Sequence, residues 1–164
     1  MTSVYIETSA LFRAYTREPG SDVMDEVFSR MESHQINGII SPLSIPEILR
    51  GIIKRKNLQE LSEEEAQKVI DSILLDINTR IANEEILISA FDEKCLPEVD
   101  QLIRYSNFYV IDALQIITAC HCKPDIFLHA DNHFSVPAVE IRIHALDIRK
   151  SDALRTIQKL PRKN

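Results

Sequence analysis

The chain has 164 residues, which is enough for one domain with a buried core. Hydrophobic residues make up 45% of the chain and charged residues 27%, a composition that excludes a disordered chain, and three cysteines are too few for a disulfide scaffold. The chain contains only three glycines, at Gly20, Gly38 and Gly51, and this wide spacing excludes a glycine-rich phosphate loop.

The net charge of −6 does not mark the chain as an obvious nucleic-acid binder, but the charge is uneven. Residues 142–164 contain seven Lys or Arg and two Asp, so this basic C-terminal segment is +5 and residues 1–141 are −11. The segment is either a solvated terminus or a contact for an acidic partner. The longest uncharged run, residues 33–46, is too short for a membrane span, and no signal peptide pattern is present. We therefore expect a soluble cytoplasmic protein with no membrane partner.

Hydrophobic periodicity in the first half predicts short strands that alternate with helices. Asn37-Gly38 reads as a turn before the second strand. Ser44 and Glu47 have the spacing of a capping box before the third helix, as do Ser62 and Glu65 before the fourth. In chain order the predicted elements are strand 4–6, helix 10–15, helix 22–34, strand 39–40, helix 48–57, a helix that begins at 62 and an apolar run at 86–88 that is a strand or a helix start.

The second half continues the alternation and contains one nearly all-apolar helix. Its predicted elements are helix 96–105, apolar helix 110–120, strand 126–128, strand 139–144 and helix 151–160. Alternating strands and helices predict an α/β fold with a mostly parallel sheet covered by helices on both faces. We find no linker, so residues 1–164 are predicted to form a single domain.

Four acidic residues fall where such a sheet would gather them. Glu7 ends the first strand, Glu47 lies near the start of the helix after the second, and Asp131 follows the fourth. Asp112 is the only charged residue between Tyr105 and Lys123. Ligands bind at the carboxyl ends of parallel strands, and clustered carboxylates need protons or a cation. Oxygen ligands suit Mg²⁺ or Mn²⁺, which can activate water against a phosphodiester.

Each acid also has a purely structural interpretation. Glu47 can be the reciprocal partner of Ser44 in a helix cap. Asp112 can be an acid favoured by the helix dipole, and Asp131 can be a turn residue. Glu7, at a strand end, has fewer such explanations.

The segments that hold these acids resemble the PIN domain family. They are ETSAL at 7–11, SIPE at 44–47, DALQIITA at 112–119 and HADNHF at 129–134, and their order and spacing fit over roughly residues 3–146. The resemblance is closest to compact prokaryotic PIN proteins, many of them VapC-type toxins of toxin–antitoxin pairs.

The resemblance implies a three-layer α/β/α sandwich and a Mg²⁺- or Mn²⁺-dependent endoribonuclease, usually a homodimer, with an antitoxin protein as a possible partner. It maps the family's catalytic, metal-binding acids to Glu7, Glu47, Asp112 and Asp131. It also implies that a small hydroxyl residue, here Ser9, orients an acid or a metal-bound water.

Two positions depart from the family pattern. The first acid is nearly always Asp in the family and is Glu7 here, and the extra methylene displaces the carboxylate by roughly 1.5 Å. His129 stands where the family often has Thr or Ser, so a neutral His129 would donate a hydrogen bond in place of the hydroxyl, or is a surface residue. The alternative function is a degenerate PIN domain that binds RNA or protein without cutting. A phosphorelay receiver also gathers acids at strand ends but needs a strand-end Lys, which is missing here.

Two further groups of residues have weaker functional signals. The cations on the third predicted helix are either a solvated helix end or a contact for an RNA backbone; they are Arg50, Lys54, Arg55 and Lys56. The cysteines and histidines near residues 120–133 fit no standard zinc spacing.

Overall fold

The computed structural model describes residues 2–136, 139 and 142–161. They form an α/β fold with a five-stranded, all-parallel sheet. The strands are β1 Ser3–Ile6, β2 Asn37–Ile40, β3 Ile86–Ile88, β4 Ile126–His129 and β5 Ala145–Asp147. The helices are α1 Thr8–Tyr15, α2 Ser21–Glu32, α3 Ser44–Asn57, α4 Glu63–Ala82, α5 Leu96–Ser106, α6 Val110–Cys122 and α7 Ala153–Gln158, with short 3₁₀ turns at Glu93–Cys95 and Asn132–Phe134.

The strand order across the sheet is β3-β2-β1-β4-β5. β1 lies at the centre, where Tyr5 is in register with Ile39 of β2 on one side and with Phe127 of β4 on the other. The chain builds the sheet outward from β1 in one direction and then crosses over to β4, so the order reverses between β1 and β4. In parallel sheets, this reversal is where a crevice for ligands opens at the carboxyl ends of the strands.

Side-chain alternation along the central strands sends residues to two separate cores, as the pleat of a strand requires. Val4 and Ile6 belong to a core under α1 to α4 and α7, whereas Tyr5 belongs to a core under α5 and α6. On β4, Phe127 likewise packs on the second core and stacks against Tyr5, with ring centroids 5.5 Å apart. The sheet is therefore the middle layer of an α/β/α sandwich, which confirms the predicted fold class.

Two local predictions are wrong. Asn37-Gly38 lies inside β2, where a Cβ on Gly38 would sit 3.0 Å from the Met31 sulfur, so glycine permits close packing there. The fifth strand is Ala145–Asp147 instead of 139–144, a range in which residues 140–141 lie outside the described residues. β5 pairs with β4, and Leu146 is in register with Leu128.

The two predicted helix caps have opposite outcomes. At Ser62, the side chain accepts from the Glu65 N–H and the Glu65 side chain accepts from the Ser62 N–H, which confirms the capping box. At the start of α3, the N-cap is Leu43 and no side chain caps the helix, so the capping box of Ser44 and Glu47 is wrong. Both side chains are instead turned toward the site described below. None of the helices in the described part of the chain combines the length and apolar character that crossing a bilayer requires.

Candidate functional site

Glu7 follows β1 directly and caps α1. Its Oε2 accepts a hydrogen bond from the Ser9 N–H at 2.7 Å and another from the Ser9 hydroxyl. The side chain is almost wholly buried, with 4% of its surface exposed. Sequence reasoning missed this capping role because Glu is not among the residues preferred at N-caps.

The Ser9 side chain links the carboxyl ends of β1 and β4. Its Oγ donates to Glu7 and accepts from the N–H of Ala130, just beyond β4, at 2.8 Å. The Glu7 N–H donates to the Leu128 carbonyl at 3.0 Å, so the backbones are also joined there. Ser9 thus orients an acid, in the position the resemblance implies.

Glu47 lies in the first turn of α3 and reaches across to α1 and α6. Its Oε2 accepts from the Thr8 hydroxyl and from the Gln115 amide, each at 2.7 Å. These bonds replace the contact to Ser44 that a capping box would need. Glu47 therefore faces the same interior as Glu7.

Gln115 is the residue that joins these groups, and sequence reasoning did not select it. It lies on α6, fully buried, and its Nε2 is 2.8 Å from Thr8 Oγ1 and 3.4 Å from Glu7 Oε1. Its Oε1 is buried without a hydrogen-bond partner among the described residues. An available signal was its place three residues after Asp112, on the same face of an otherwise apolar helix.

The acids at this edge have raised pKa values. Burial, reinforced by Glu47 and Asp112 and opposed by the Ser9 hydrogen bonds, raises the pKa of Glu7 to about 8. Burial also raises the pKa of Glu47, against the hydrogen bonds from Thr8 and Gln115. Burial together with the charges of Glu47 and Asp131 raises the pKa of Asp112. The four predicted acids therefore act on one another.

No Lys or Arg in the described residues forms an ion pair with any of the four acids. Asp131 has His133 beside it, whose Nδ1 lies 3.7 Å from its Oδ1, and the charge of Arg149 acts on it without forming an ion pair. Hydrogen bonds from Ser9, Thr8 and Gln115 hold the carboxylates of Glu7 and Glu47, and burial favours the protonated forms of both acids. In this state the cluster disfavours full ionisation and attracts a cation.

Asp131 also has a structural role at the turn after β4. Its Oδ1 accepts from the His133 N–H at 3.0 Å and so caps the 3₁₀ turn, while about half of its side chain remains exposed. This agrees with the interpretation of Asp131 as a turn residue, and the turn holds its carboxylate at the same sheet edge.

His129 is buried at the end of β4, so the interpretation as a surface residue is wrong. Its Nδ1 lies 2.9 Å from the Asp131 carbonyl oxygen, an acceptor, so Nδ1 carries the proton. Burial lowers the pKa of His129, against the opposing effect of Asp147. The neutral ring donates a hydrogen bond that braces the loop carrying Asp131.

Asp147 and Arg149 form a second part of this edge that the sequence did not reveal. Asp147 ends β5 and accepts from Arg149 Nε at 2.8 Å and from Arg149 Nη2 at 2.7 Å. Although burial opposes it, these hydrogen bonds lower the pKa of Asp147. Arg149 Nη2 also donates to Asn132 Oδ1 at 2.6 Å. A residue predicted only as part of a basic terminus therefore contacts the turn that follows Asp131.

A cavity of about 570 Å³ opens beside Asp112. Its walls include the aromatic side chains Phe108 and Tyr109 and the polar side chains Asn132 and His133. Asp112 thus belongs both to the acid cluster and to this cavity.

The predicted cations of α3 are not gathered at the site as a group. The charge of Arg50 partly opposes the rise that burial causes in the pKa of Glu47. Arg55 forms an ion pair with Glu18, and Lys56 Nζ is 2.8 Å from Glu63. Lys54 lies seven residues beyond Glu47, roughly 10 Å along the helix. The cysteines are free in the described chain.

The donor set suits a hard divalent cation. Carboxylate oxygens and the orphaned amide oxygen of Gln115 are ligands of the kind that Mg²⁺ and Mn²⁺ prefer. Among residues 2–136, 139 and 142–161, however, no three His, Cys, Asp or Glu side chains converge closely enough to ligate one ion.

Comparison with models of known protein families finds no match for this chain, and comparison with curated proteins finds none either.

Proposed function

We propose that this protein is a PIN-like, Mg²⁺- or Mn²⁺-dependent endoribonuclease that hydrolyses RNA phosphodiester bonds. One observation carries the proposal: four acids from four separate segments act on one another at the reversal point of a parallel sheet, with no Lys or Arg of the described chain paired to them. Such a cluster is costly to the apo protein, and a bound cation removes that cost.

Glu7, Glu47, Asp112 and Asp131 would hold the metal. When bound, it would lower the pKa of water and neutralise charge on the phosphate. Ser9 fixes the Glu7 carboxylate through two hydrogen bonds, and Thr8 with Gln115 fixes one oxygen of Glu47.

Glu47 is the residue we assign to proton transfer. Its Oε2 is held by two donors, and its Oε1 accepts no hydrogen bond from the described residues. A carboxylate with a raised pKa is a better base than an ordinary one. Glu47 Oε1 would take a proton from the attacking water as the water oxygen bonds to phosphorus and the bond from phosphorus to the 3′ oxygen breaks. The 3′ oxygen would take a proton from solvent, and the other product would carry the 5′ phosphate.

RNA as the substrate, a homodimeric assembly and an antitoxin partner are further proposals, and their support is the motif resemblance. Arg50, whose charge acts on Glu47, and Arg149, which follows β5 and contacts Asn132 in the turn after Asp131, are the two cations we assign to phosphate contact. If they contact phosphates, RNA binding will weaken steeply as salt rises.

The first experiment is a calorimetric titration of Mn²⁺ and Mg²⁺ into the wild type and Asp112→Asn. Asp100→Asn is the matched control, because Asp100 is an exposed acid that pairs only with Arg104 on α5. We expect binding by the wild type and by Asp100→Asn, and loss of binding in Asp112→Asn. The same three proteins are then assayed on a mixed-sequence RNA in Mn²⁺, where Asp112→Asn should cleave about a hundredfold more slowly or worse.

A degenerate, non-catalytic PIN-like module that binds RNA or protein is the second candidate. The capping bonds of Glu7 favour it, because they give this acid a role without metal. Absence of metal binding at millimolar concentration, both alone and with added RNA, would reject the nuclease in favour of this module.

A further inference from the structure

The cavity beside Asp112 has an aromatic wall that is exposed among the residues the structure describes. Tyr109 stands directly before α6 with 74% of its surface exposed, and it lines this cavity. The His133 ring faces it across a centroid distance of 6.4 Å at an interplanar angle of 51°. Two tilted rings at the mouth of a cavity form a surface on which a flat, unsaturated ligand can stack.

The backbone of Tyr109 is anchored on both sides, which suits a binding platform. Phe108, the preceding residue, is buried and packs near Phe134, with ring centroids 6.4 Å apart. On the other side, the Tyr109 carbonyl accepts from the Ala113 N–H at 2.9 Å and so anchors the first turn of α6. When a ligand stacks on this ring, the backbone is already ordered, and only the side chain has conformational entropy to lose.

The polar wall of the same cavity presents a defined donor. Asn132 lines the cavity, and its Oδ1 accepts from Arg149 at 2.6 Å. Arg149 is itself held by Asp147. The Asn132 amide oxygen is therefore engaged, and its NH₂ group is left to donate to an acceptor atom in the cavity.

The cavity volume of about 570 Å³ falls in the range of small-molecule sites, and Asp112 joins it to the acid cluster. A ligand with a flat ring in this cavity would have its remaining atoms next to the acids. A nucleotide of an unpaired RNA strand has this form, with a base for the rings and a phosphate for the cation site.

We propose that the cavity binds one unpaired nucleobase of single-stranded RNA, stacked on Tyr109 and contacted by the amide of Asn132, beside the phosphate to be cut. This inference rests on the proposed nuclease function, which places the phosphate at Asp112. It assigns Tyr109 to substrate binding, a role the acid cluster does not require.

The test measures the contribution of a single base. The probes are two fluorescein-labelled hexaribonucleotide backbones, one fully abasic and one with a single adenine at its fourth position. Their affinities are measured by fluorescence anisotropy in Ca²⁺ for the wild type, Tyr109→Ala and Tyr109→Phe. Tyr105→Ala is the matched control, because Tyr105 is even more exposed, at 84%, and is not among the residues that line the cavity.

We expect adenine to tighten binding about tenfold in the wild type, in Tyr109→Phe and in Tyr105→Ala, and less than about twofold in Tyr109→Ala. An equal gain from adenine in Tyr109→Ala and the wild type, or no gain in the wild type, would overturn the inference. Cleavage of mixed-sequence RNA in Mn²⁺ is scored separately. If adenine tightens binding in a Tyr109-dependent way but no RNA is cut, the base-binding site is supported and the nuclease proposal is rejected.

Discussion

Two clusters of acids in this protein differ in what neutralises them. The first surrounds Arg80 on α4, whose guanidinium pairs with Glu85 at 2.8 Å, Glu32 at 2.9 Å and Asp76 at 3.0 Å. Arg80 also lies over the Phe28 ring, 4.0 Å from its centroid. The acids of this cluster are neutralised within the protein, because three carboxylates share one buried guanidinium.

The second cluster, at the carboxyl edge of the sheet, has no ion pair with Lys or Arg among the described residues. Its acids are held by a serine, a threonine and a glutamine, and the pKa of Glu7 rises to about 8. The comparison teaches that buried acids alone do not mark a site. Buried acids that lack a neutralising cation are the better indicator of a candidate site, because a bound cation would lower the free energy of their ionised forms.

The largest expected effect comes from removing the internal cation. Arg80→Met leaves Glu85 buried and unpaired, so we expect the free energy of unfolding to fall by about 3–5 kcal/mol. Urea denaturation measures it. Arg17→Met removes an exposed pair with Asp25 and should cost less than about 1 kcal/mol. Equal losses in the two variants would break the comparison.

The second prediction concerns the pH dependence of the cluster without a cation. The pKa of Glu7 is about 8 in the folded protein and near 4.5 in the unfolded chain. Its protonated form therefore contributes stability that is complete below pH 4.5, declines as the pH rises and is lost above pH 8, at roughly 1.4 kcal/mol per unit of pKa difference.

Glu7→Gln cannot ionise, so in EDTA its melting temperature should exceed that of the wild type increasingly from pH 5 to pH 9. Thermal melts of both proteins at pH 5, 7 and 9 give the difference. If the difference in melting temperature between the two proteins is the same at pH 5, 7 and 9, Glu7 has an ordinary pKa in the folded protein, and the prediction is wrong.

A smaller effect is expected for the amide that holds the cluster together. Gln115→Leu removes the hydrogen-bond donor to Glu47 and Thr8. Mn²⁺ affinity should therefore fall by about 10- to 100-fold, the loss typical when a residue that orients a metal ligand is removed. Stability should change little, since the unpartnered Oε1 is removed too. Calorimetry checks the affinity, with Gln101→Leu on exposed α5 surface as control. Unchanged affinity would exclude Gln115 from the site.

The smallest expected effect is that of Glu7→Asp. A side chain one bond shorter withdraws the carboxylate roughly 1.5 Å, whereas active sites tolerate about 0.5 Å. Because Glu7 already fits between Ser9 and Gln115, we expect about a tenfold slower RNA cleavage in Mn²⁺. Faster cleavage would instead mark the natural site as impaired.

Much of the fold was predictable because its signals are local. The β-type run of Val4, Tyr5 and Ile6, the capping box at Ser62 and the apolar helix around Asp112 each depend on residues a few positions apart. The capping box predicted at Ser44 was wrong for the opposite reason. Glu47 had an equally good partner in Thr8, which lies 39 residues away and cannot be seen from local spacing.

Sequence by itself determined the alternation of strands and helices, the α/β class and the presence of acids at strand ends, since period and position along the chain suffice for these. Only the tertiary structure decided what those acids contact. Gln115 reaches Glu7 across 108 residues, and Asp147 with Arg149 meets the turn after Asp131 only when β5 pairs with β4. The physical reason is that hydrogen bonds and charges act over a few ångströms in space, and only the order of the strands brings these residues that close.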